Sequence, residues 1–403
     1  MAQGFSLAAT VEPEVNKPAI NVLAGLFGLL LLTGLAVGIY GFFVGHEHVY
    51  NNTREVPWGL LISTYAFFAI TSTGLCLLAA ISHSFGGNNI APLANRMVWC
   101  SLITIISGFT VIGMEIESPW RMAIWNILSP NPTSNIWWMG TLYGMAVGMM
   151  VIEFWFILTK QYKLALALGI MGALAEVAAN TCLGGVFGTL PSRPFWYGAQ
   201  MPVYFLGCAF LSGAAAAIVF THYAYVLRRK KMESHVFAGV QGAAKVLFLM
   251  LILITVATFW KMASFYVGGV DVGRTAADAL YQGPLSTYFW VFEVGIGLVA
   301  PIILLALTRM KSVFAMSTAA LMALVGMFVA RLDMVVAGQL VPAYEGYGYL
   351  PQYAGYDLLP KYFGYVPSTM EWLVACGGIG LTGLAFILGE RLFGKAFTAH
   401  EEH

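Results

Sequence analysis

Charged residues are scarce in this chain. Asp, Glu, Lys and Arg make up 10% of its 403 residues, hydrophobic residues make up 59%, and the mean hydropathy is +0.77. A soluble globule needs a more strongly charged surface, so this composition excludes one. The formal net charge of +1 offers no basic surface for a polyanion. The composition therefore predicts a protein that resides in the lipid bilayer and binds no nucleic acid.

Ligands for redox cofactors are also lacking. The five cysteines lie in or beside apolar stretches, with no pair at metal-ligand spacing. This argues against a metal site, an iron–sulfur cluster or a c-type haem in this chain. A b-type haem would need histidines at membrane depth, but all seven fall in predicted loops, tails or helix ends. His46 and His48 stay open as metal ligands or quinone contacts, with a solvated loop pair as the simpler interpretation.

Long apolar stretches recur along the whole chain, and about 20 apolar residues suffice to cross a bilayer as a helix. The first stretch is about twice as long as the apolar region of a signal peptide, so we expect it to remain as a helix. The sequence predicts an all-α, polytopic membrane protein with about ten transmembrane helices, at 19–45, 58–84, 92–116, 135–159, 163–182, 200–227, 239–268, 286–308, 312–336 and 369–392.

An internal repeat organises these helices. Helices two to five and six to nine each end in a pair joined by a short basic turn, at 160–163 and 309–311. The third helix of each set opens with aromatic residues and carries one glutamate, Glu153 or Glu293. We therefore predict two parallel four-helix bundles plus two peripheral helices. The segments are 1–57 (tail, first helix and outer loop), 58–199 (first bundle), 200–336 (second bundle) and 337–403 (Tyr-rich outer loop, last helix and tail).

The positions of Lys and Arg predict the orientation. Thirteen of the twenty lie in tails, loops or helix ends on one side, five lie on the other, and two fall deeper within helices. Since positive residues collect on the cytoplasmic side, we expect a multi-pass protein of the inner (plasma) membrane with both termini cytoplasmic.

The outer 337–368 loop is rich in tyrosine and suits partner docking, because tyrosine is common at interfaces. An aromatic belt at the membrane surface is the alternative. Its tyrosines are Tyr344, Tyr347, Tyr349, Tyr353, Tyr356, Tyr362 and Tyr365.

A few ionisable residues lie within the predicted helices. They are costly at membrane depth, so they usually face a bundle interior or a wet cavity. At about 1.5 Å per residue, all but Glu153 fall in the outer half of the membrane. Structural alternatives exist: Arg331 and Asp333 can pair with neighbours, and Glu371 can cap its helix. Structural hydrogen bonding is the alternative for Glu115, Glu176 and Glu293. The outer group comprises Glu115, Glu176, Lys261, Glu293, Arg331, Asp333 and Glu371.

Four segments resemble the NrfD/PsrC family of quinone-interacting membrane subunits. Residues 57–59, Pro-Trp-Gly, are similar to that family's PWG segment at the start of the second helix. Residues 114–121 and 131–134 are similar to its acidic DLGRP-x-R-F-W … NP-x-S segment. Residues 180–184 and 365–371 are similar to a polar, glycine-containing segment and a YFP-x-WEE segment of the hydrogenase membrane subunit. The matches occur in the family's order and span most of the chain.

The resemblance implies a subunit that exchanges electrons between quinone/quinol (menaquinone or ubiquinone) and an iron–sulfur, ferredoxin-like partner. That partner would serve a catalytic or cytochrome subunit on the outer face, so the substrate-converting site lies on another subunit. In the family, the quinone sits near the outer face beside an acid whose place Glu115 takes here. This chain departs from the pattern at Glu117, Ser118 and Ala179, where the family has Gly, Arg and, in the hydrogenase type, His. The hydrogen bonds to the headgroup must therefore be built differently.

Quinone reduction takes two electrons and two protons, so a carboxylate in hydrogen-bond reach of a quinone carbonyl can relay protons. We predict Glu115 as this relay and as the catalytic residue. Tyr65 has core packing as its alternative role. The other candidates are listed by role: for the quinone site, Tyr65, Asn180, Thr181, Arg331 and Asp333; for a pathway that translocates protons, Glu153, Glu176 and Glu293.

Two other classes of function stay open. A secondary transporter would also show parallel repeats and buried charges, but its charges would lie near the midplane. A purely structural membrane anchor would fill the outer cavity with side chains. Co-purification with a partner that has iron–sulfur absorbance supports the electron-transfer subunit, whereas isolation as a stable, substrate-binding monomer supports the transporter.

Overall fold

The structure, a computed structural model, describes residues 10, 11, 15, 17–84, 90–342 and 361–398. Ten helices in these ranges are long and apolar enough to cross a membrane. In chain order the helices are α1 (Pro18–Val44), α2 (Leu60–Ser84), α3 (Ala94–Glu115), α4 (Pro119–Leu128), α5 (Asn135–Leu158), α6 (Tyr162–Gly188), α7 (Gln200–Arg228), α8 (Ser234–Gly268), α9 (Asp271–Tyr281), α10 (Tyr288–Thr308), α11 (Val313–Leu340) and α12 (Thr369–Phe393). The two shorter helices, α4 and α9, lie between spans.

The predicted all-α, polytopic fold is confirmed, and the helix ends differ from prediction in a few places. α6 continues to Gly188, past its predicted end at 182, and α11 reaches Leu340 rather than 336. The reason is physical: inside a bilayer the backbone must satisfy its own hydrogen bonds, so a helix continues through polar residues and glycines. α8 begins at Ser234, earlier than predicted.

The helices pack both against their neighbours in the chain and against distant ones. α2, α3, α5 and α6 pack together, and α7 packs with α8 and α11, while α10 packs on α11. α2 and α6 both contact α7, which joins the two groups. α1 and α12 form a closely packed pair beside α3. We call the membrane side that holds the α1–α2 loop and the C-terminal end of α3 the outer side, following the predicted topology.

Glycines allow the closest helix crossings. A Cβ atom on Gly74 of α2 would lie 1.8 Å from the carbonyl oxygen of Ala209, and one on Gly213 of α7 would lie 2.2 Å from the Gly74 carbonyl carbon. A similar crossing joins α1 to α12, where a Cβ on Gly34 would lie 2.6 Å from the Cα of Gly377. Small residues at such crossings let membrane helices gain packing energy that the hydrophobic effect does not supply in lipid.

A buried ion cluster joins three helices near their inner ends. Glu390 of α12 accepts a hydrogen bond from Arg96 Nε of α3 at 2.7 Å and from Arg228 Nη2 of α7 at 2.6 Å. Arg228 also donates to the carbonyl oxygen of Gly394 at 3.0 Å. All three charged side chains are almost fully buried. The cluster therefore carries a net charge of +1 inside the protein and ties α12 to both helix groups.

Candidate functional site at the outer end of α3

Glu115 is the last residue of α3, where the chain changes to an extended conformation at Ile116. Its Oε1 atom accepts a hydrogen bond from Asn52 Nδ2 at 3.0 Å. Its Oε2 atom is buried and has no hydrogen-bond partner among the described residues. One oxygen of the carboxylate is thus hydrogen-bonded, and the other has its hydrogen-bonding capacity unused within the described residues.

The loop between α1 and α2 supplies the contacts around this carboxylate. Tyr50 donates through its hydroxyl to the carbonyl oxygen of Met114 at 3.0 Å. The backbone N–H of Asn51 donates to Glu371 Oε2 at 3.1 Å, and the next residue, Asn52, binds Glu115. Three consecutive loop residues therefore connect the end of α3 to the start of α12.

Glu371 lies nearby, but its hydrogen bonds are complete. It forms a capping box with Ser368 at the start of α12, so the helix-capping alternative considered for it describes its geometry. Its Oε1 atom accepts a hydrogen bond from the Tyr365 hydroxyl at 2.5 Å. The same hydroxyl accepts the backbone N–H of Leu60 at 2.6 Å. Glu371 therefore fixes the outer loops, whereas Glu115 keeps one oxygen open.

Two tyrosines of this site remain protonated at neutral pH. Burial raises the pKa of the Tyr50 hydroxyl, and the negative charges of Glu115 and Glu371 raise it further. Burial likewise raises the pKa of Tyr365, and the neighbouring Glu371 adds to the effect. Both phenols therefore act as hydrogen-bond donors, and neither competes with a carboxylate as an acid at neutral pH.

His46 completes the site. Gly45, whose φ is +98°, ends α1 and turns the chain into the short helical turn of residues 46–48. The ring of His46 packs 5.1 Å from that of Tyr50, and its Nε2 atom is buried without a partner in the part of the chain that the structure describes. The Oδ1 atom of Asn52 is unpartnered in the same sense. Since more than 90% of buried polar groups are hydrogen-bonded in proteins, the three such atoms around Tyr50, on Glu115, Asn52 and His46, make this region a candidate binding site for a polar ligand.

A second polar line runs along α6. Glu176 is fully buried and accepts hydrogen bonds from Thr73 Oγ1 at 2.6 Å and Ser72 Oγ at 3.1 Å. Asn180, one turn further out, is also fully buried, and neither polar atom of its amide has a partner within the described ranges. Thr181 lies on the exposed side of α6, and its hydroxyl donates to the carbonyl oxygen of Val177. Asn180 thus has hydrogen-bonding capacity to offer inside the protein, and Thr181 points away from it.

The remaining candidates of the first helix group are buried. The Tyr65 ring stacks on Phe109, with 6.3 Å between centroids, which matches its packing alternative. Glu153 lies in the inner half of α5 against Gly169 of α6. A Cβ atom on Gly169 would lie 2.5 Å from Glu153 Oε1, so the glycine makes the room for this carboxylate.

The candidate charges on α8, α10 and α11 form a separate group. Arg331 donates to Cys208 Sγ at 2.9 Å and lies 4.9 Å from the ring centroid of Phe205, and Lys261 lies over Phe195 at 3.9 Å. Asp333 is almost fully buried, and neither of its oxygens has a partner among the described residues. Glu293 is buried in the π-helical part of α10, Tyr288–Val299, a geometry that is rare and often marks functional sites. Arg331 and Asp333 are thus placed in the second helix group, whereas α1, α3, α12 and their loops surround Glu115.

Several contributors to the Glu115 site carried no strong signal in the sequence. Tyr50, Asn51 and Asn52 lie in a polar loop, where residue type alone does not identify a site. Tyr365 belongs to the predicted docking tyrosines, but it is half-buried beside Glu371. Of the other docking tyrosines, Tyr362 contacts the carbonyl oxygen of Thr275 at 3.4 Å, while those at 344, 347, 349, 353 and 356 lie outside the described residues.

The ten apolar spans found in the described ranges define a polytopic membrane protein, and the buried, unpartnered Glu115 oxygen at the end of α3 marks a candidate polar site near one membrane face. The chain belongs to the family described as polysulphide reductase, NrfD, whose profile matches residues 48–343. The resemblance found in the sequence is therefore confirmed, and members of this family are membrane subunits of respiratory oxidoreductases.

Three relatives align with most of the chain. A selenate reductase subunit of Mesobacillus selenatarsenatis is 22% identical, over 87% of this chain and 89% of that protein. The Hdr-like menaquinol oxidoreductase integral membrane subunit of Archaeoglobus fulgidus is 22% identical, over 91% and 92%. Protein NrfD of Escherichia coli is 24% identical, over 72% and 97%.

Proposed function

We propose that this chain is the quinone-reactive subunit of a respiratory oxidoreductase complex and binds quinone/quinol beside Glu115 near the outer membrane face. The observation that carries the proposal is the group of buried polar atoms on Glu115, Asn52 and His46 that have no hydrogen-bond partner among the described residues. One relative is named as a menaquinol oxidoreductase subunit, which supports a quinol as the ligand. Menaquinone and ubiquinone both fit this chemistry.

The residues of the site suit proton exchange with a quinone. Reduction to the quinol takes two electrons and two protons. The open Oε2 atom of Glu115 can accept a proton from a quinol hydroxyl, or donate one to a quinone carbonyl when it is protonated. Asn52 holds the other carboxylate oxygen and so orients the group. His46 Nε2, whose ring lies 5.1 Å from that of Tyr50, offers a second hydrogen-bonding position.

The electrons come from outside this chain in this proposal. A ferredoxin-like iron–sulfur subunit docks on the outer face and serves a catalytic or cytochrome subunit, where the substrate is converted. Both termini lie on the cytoplasmic side of the inner membrane. The proposal is supported by relatives named as parts of a selenate reductase and a menaquinol oxidoreductase.

Proton translocation is the finer part of the proposal. Glu153 in the inner half and Glu176 further out are steps of a route that leads past Asn180 toward the outer site, and Glu293 is the matching residue of the second helix group. Chains of carboxylates and waters carry protons in this way in membrane pumps. The alternative role is structural for Glu176, because Ser72 and Thr73 satisfy its carboxylate. Arg331 and Asp333 are kept as candidates for quinone binding at a separate position.

The test is Glu115→Gln in the intact complex, with Glu117→Gln as the matched control. Glu117 is two residues away and exposed. We expect the Glu115 variant to assemble normally and to lose about 100-fold or more of quinol oxidation, the usual effect of removing an acid–base group. The control should stay within about two-fold of the wild-type rate. Near-wild-type turnover of the assembled Glu115→Gln complex would refute the assignment.

A further inference from the structure

A cavity of about 410 Å³ opens between the outer parts of α8, α9 and α10. Its walls combine aromatic rings with one carboxylate, and two hydrogen bonds hold them in place. The Tyr266 hydroxyl donates to Asp278 Oδ1 at 2.6 Å, and Trp290 Nε1 donates to the carbonyl oxygen of Tyr281 at 2.9 Å. The residues that matter here are Phe259, Tyr266, Asp278, Tyr281, Phe289 and Trp290.

The aromatic rings that line the cavity contact one another, and we call this group the aromatic cage. Tyr281 packs edge-to-face on Trp290 at 5.5 Å and on Tyr266 at 6.3 Å, and Phe289 packs edge-to-face on Trp290 at 5.1 Å. Aromatic faces attract organic cations, and tryptophan does so most strongly. Asp278 adds a full negative charge, and among the described residues that line the cavity none is basic. The cavity is thus suited to an ammonium group.

The position of the cavity indicates which ammonium compound reaches it. Apolar side chains beside the cavity are exposed on α8: Trp260 is 70% exposed and Val267 is 88% exposed. α8 ends at Gly268 and α9 begins at Asp271, so the mouth of the cavity lies near the outer end of a candidate membrane span. Arg274 is exposed on α9 one turn before Asp278, and positions i and i+4 share a helix face. One face of α9 therefore presents a positive and a negative group next to the cage.

We propose that this cavity binds the headgroup of a zwitterionic phospholipid of the phosphatidylethanolamine type, from the outer leaflet. The ammonium group lies in the aromatic cage beside Asp278. The phosphate faces Arg274. The acyl chains follow the exposed apolar surface of α8 toward the membrane centre. This site is independent of the quinone site beside Glu115.

Native mass spectrometry of the delipidated, purified chain tests the proposal. The protein is titrated with phosphatidylethanolamine and with phosphatidylglycerol of identical acyl chains. We expect wild type to prefer the ethanolamine lipid by about five-fold or more, as a cation in an aromatic cage gives. Asp278→Asn should reduce the preference to near one. The matched control Trp260→Leu removes a neighbouring aromatic outside the cavity and should keep the wild-type preference.

Several outcomes would overturn the proposal. Equal binding of the two lipids by wild type would mean that the cavity does not select an ammonium headgroup and that its rings are part of an interfacial aromatic belt. An unchanged lipid preference in Asp278→Asn would also overturn the proposal. If that variant keeps the lipid preference and instead weakens assembly with a partner subunit, the cavity holds a basic side chain of the partner rather than a lipid headgroup. If Asp278→Asn does not fold, Trp290→Phe serves in its place: it keeps a ring of weaker cation affinity, so it must lower the preference.

Discussion

Glu390→Gln tests what the inner ion cluster contributes to stability. The substitution keeps the size of the side chain and removes its negative charge. Arg96 and Arg228, both almost fully buried, then remain without their shared counter-charge. The net charge of the cluster rises from +1 to +2 in a place that water does not reach.

Removing one partner of a buried ion pair costs about 3–5 kcal/mol, since the remaining charge is left uncompensated. Glu390 is the partner of two arginines at 2.7 and 2.6 Å, so we expect a loss of at least that size. Domains have only about 5–15 kcal/mol of stability in total. The variant should therefore melt well below wild type and accumulate poorly in the membrane.

The assay is thermal unfolding of the purified protein in detergent, with membrane abundance as a second readout. The double variant Arg96→Gln with Glu390→Gln restores the cluster charge to +1 and should recover part of the loss. Glu233→Gln, an exposed acid beside His235, should change stability by less than about 1 kcal/mol. A wild-type melting temperature for Glu390→Gln, or a double variant less stable than the single one, would refute this account.

Three further predictions concern the membrane interior and the outer loops. Glu153→Gln should abolish proton uptake from the cytoplasmic side in proteoliposomes; the same gradient at the same turnover would place the pathway elsewhere. Gly213→Ala should lower the melting temperature because the added Cβ atom would lie 2.2 Å from the backbone of α2. The control Gly113→Ala should leave it unchanged because no heavy atom lies within 4 Å of that Cβ position. Equal effects of the two substitutions would contradict the crossing geometry. Tyr365→Phe removes a hydroxyl that bonds Glu371 and the Leu60 N–H, so denaturant unfolding should show a loss of about 1–3 kcal/mol, and an unchanged midpoint would argue against these bonds.

The sequence predicts the membrane spans well because each span depends on a local quantity, the length of an apolar stretch. It predicts α4 and α9 poorly, because each has only ten or eleven residues and no long apolar stretch that would distinguish it from a loop. The continuation of α6 through Asn180 to Gly188 was missed for a related reason. Polar residues and glycines signal a helix end in water, but the bilayer keeps the backbone helical.

The candidate site was only partly predictable. Counting residues along a helix gives the depth of Glu115, but it does not give the lateral neighbours. Arg331 and Asp333 share that depth and nevertheless lie among other helices. Asn52 is 63 residues from Glu115 in the chain, and no periodic pattern connects a loop amide to a helix end. Two outer glutamates also look alike in sequence. Only the structure shows that Glu371 accepts hydrogen bonds on both oxygens, whereas one oxygen of Glu115 has no partner among the described residues.

The pairing of α1 with α12 has a consequence for biosynthesis. Ribosomes add about 5–20 residues per second, so roughly 15–65 s pass between completion of α1 and the start of α12. During this time α1 spans the membrane without its main packing partner, which lipid tolerates because the helix satisfies its own backbone. When α12 inserts, it brings Glu371 to the outer loops and Glu390 to the inner arginines. The arrival of one helix therefore completes the assembly on both sides of the membrane together.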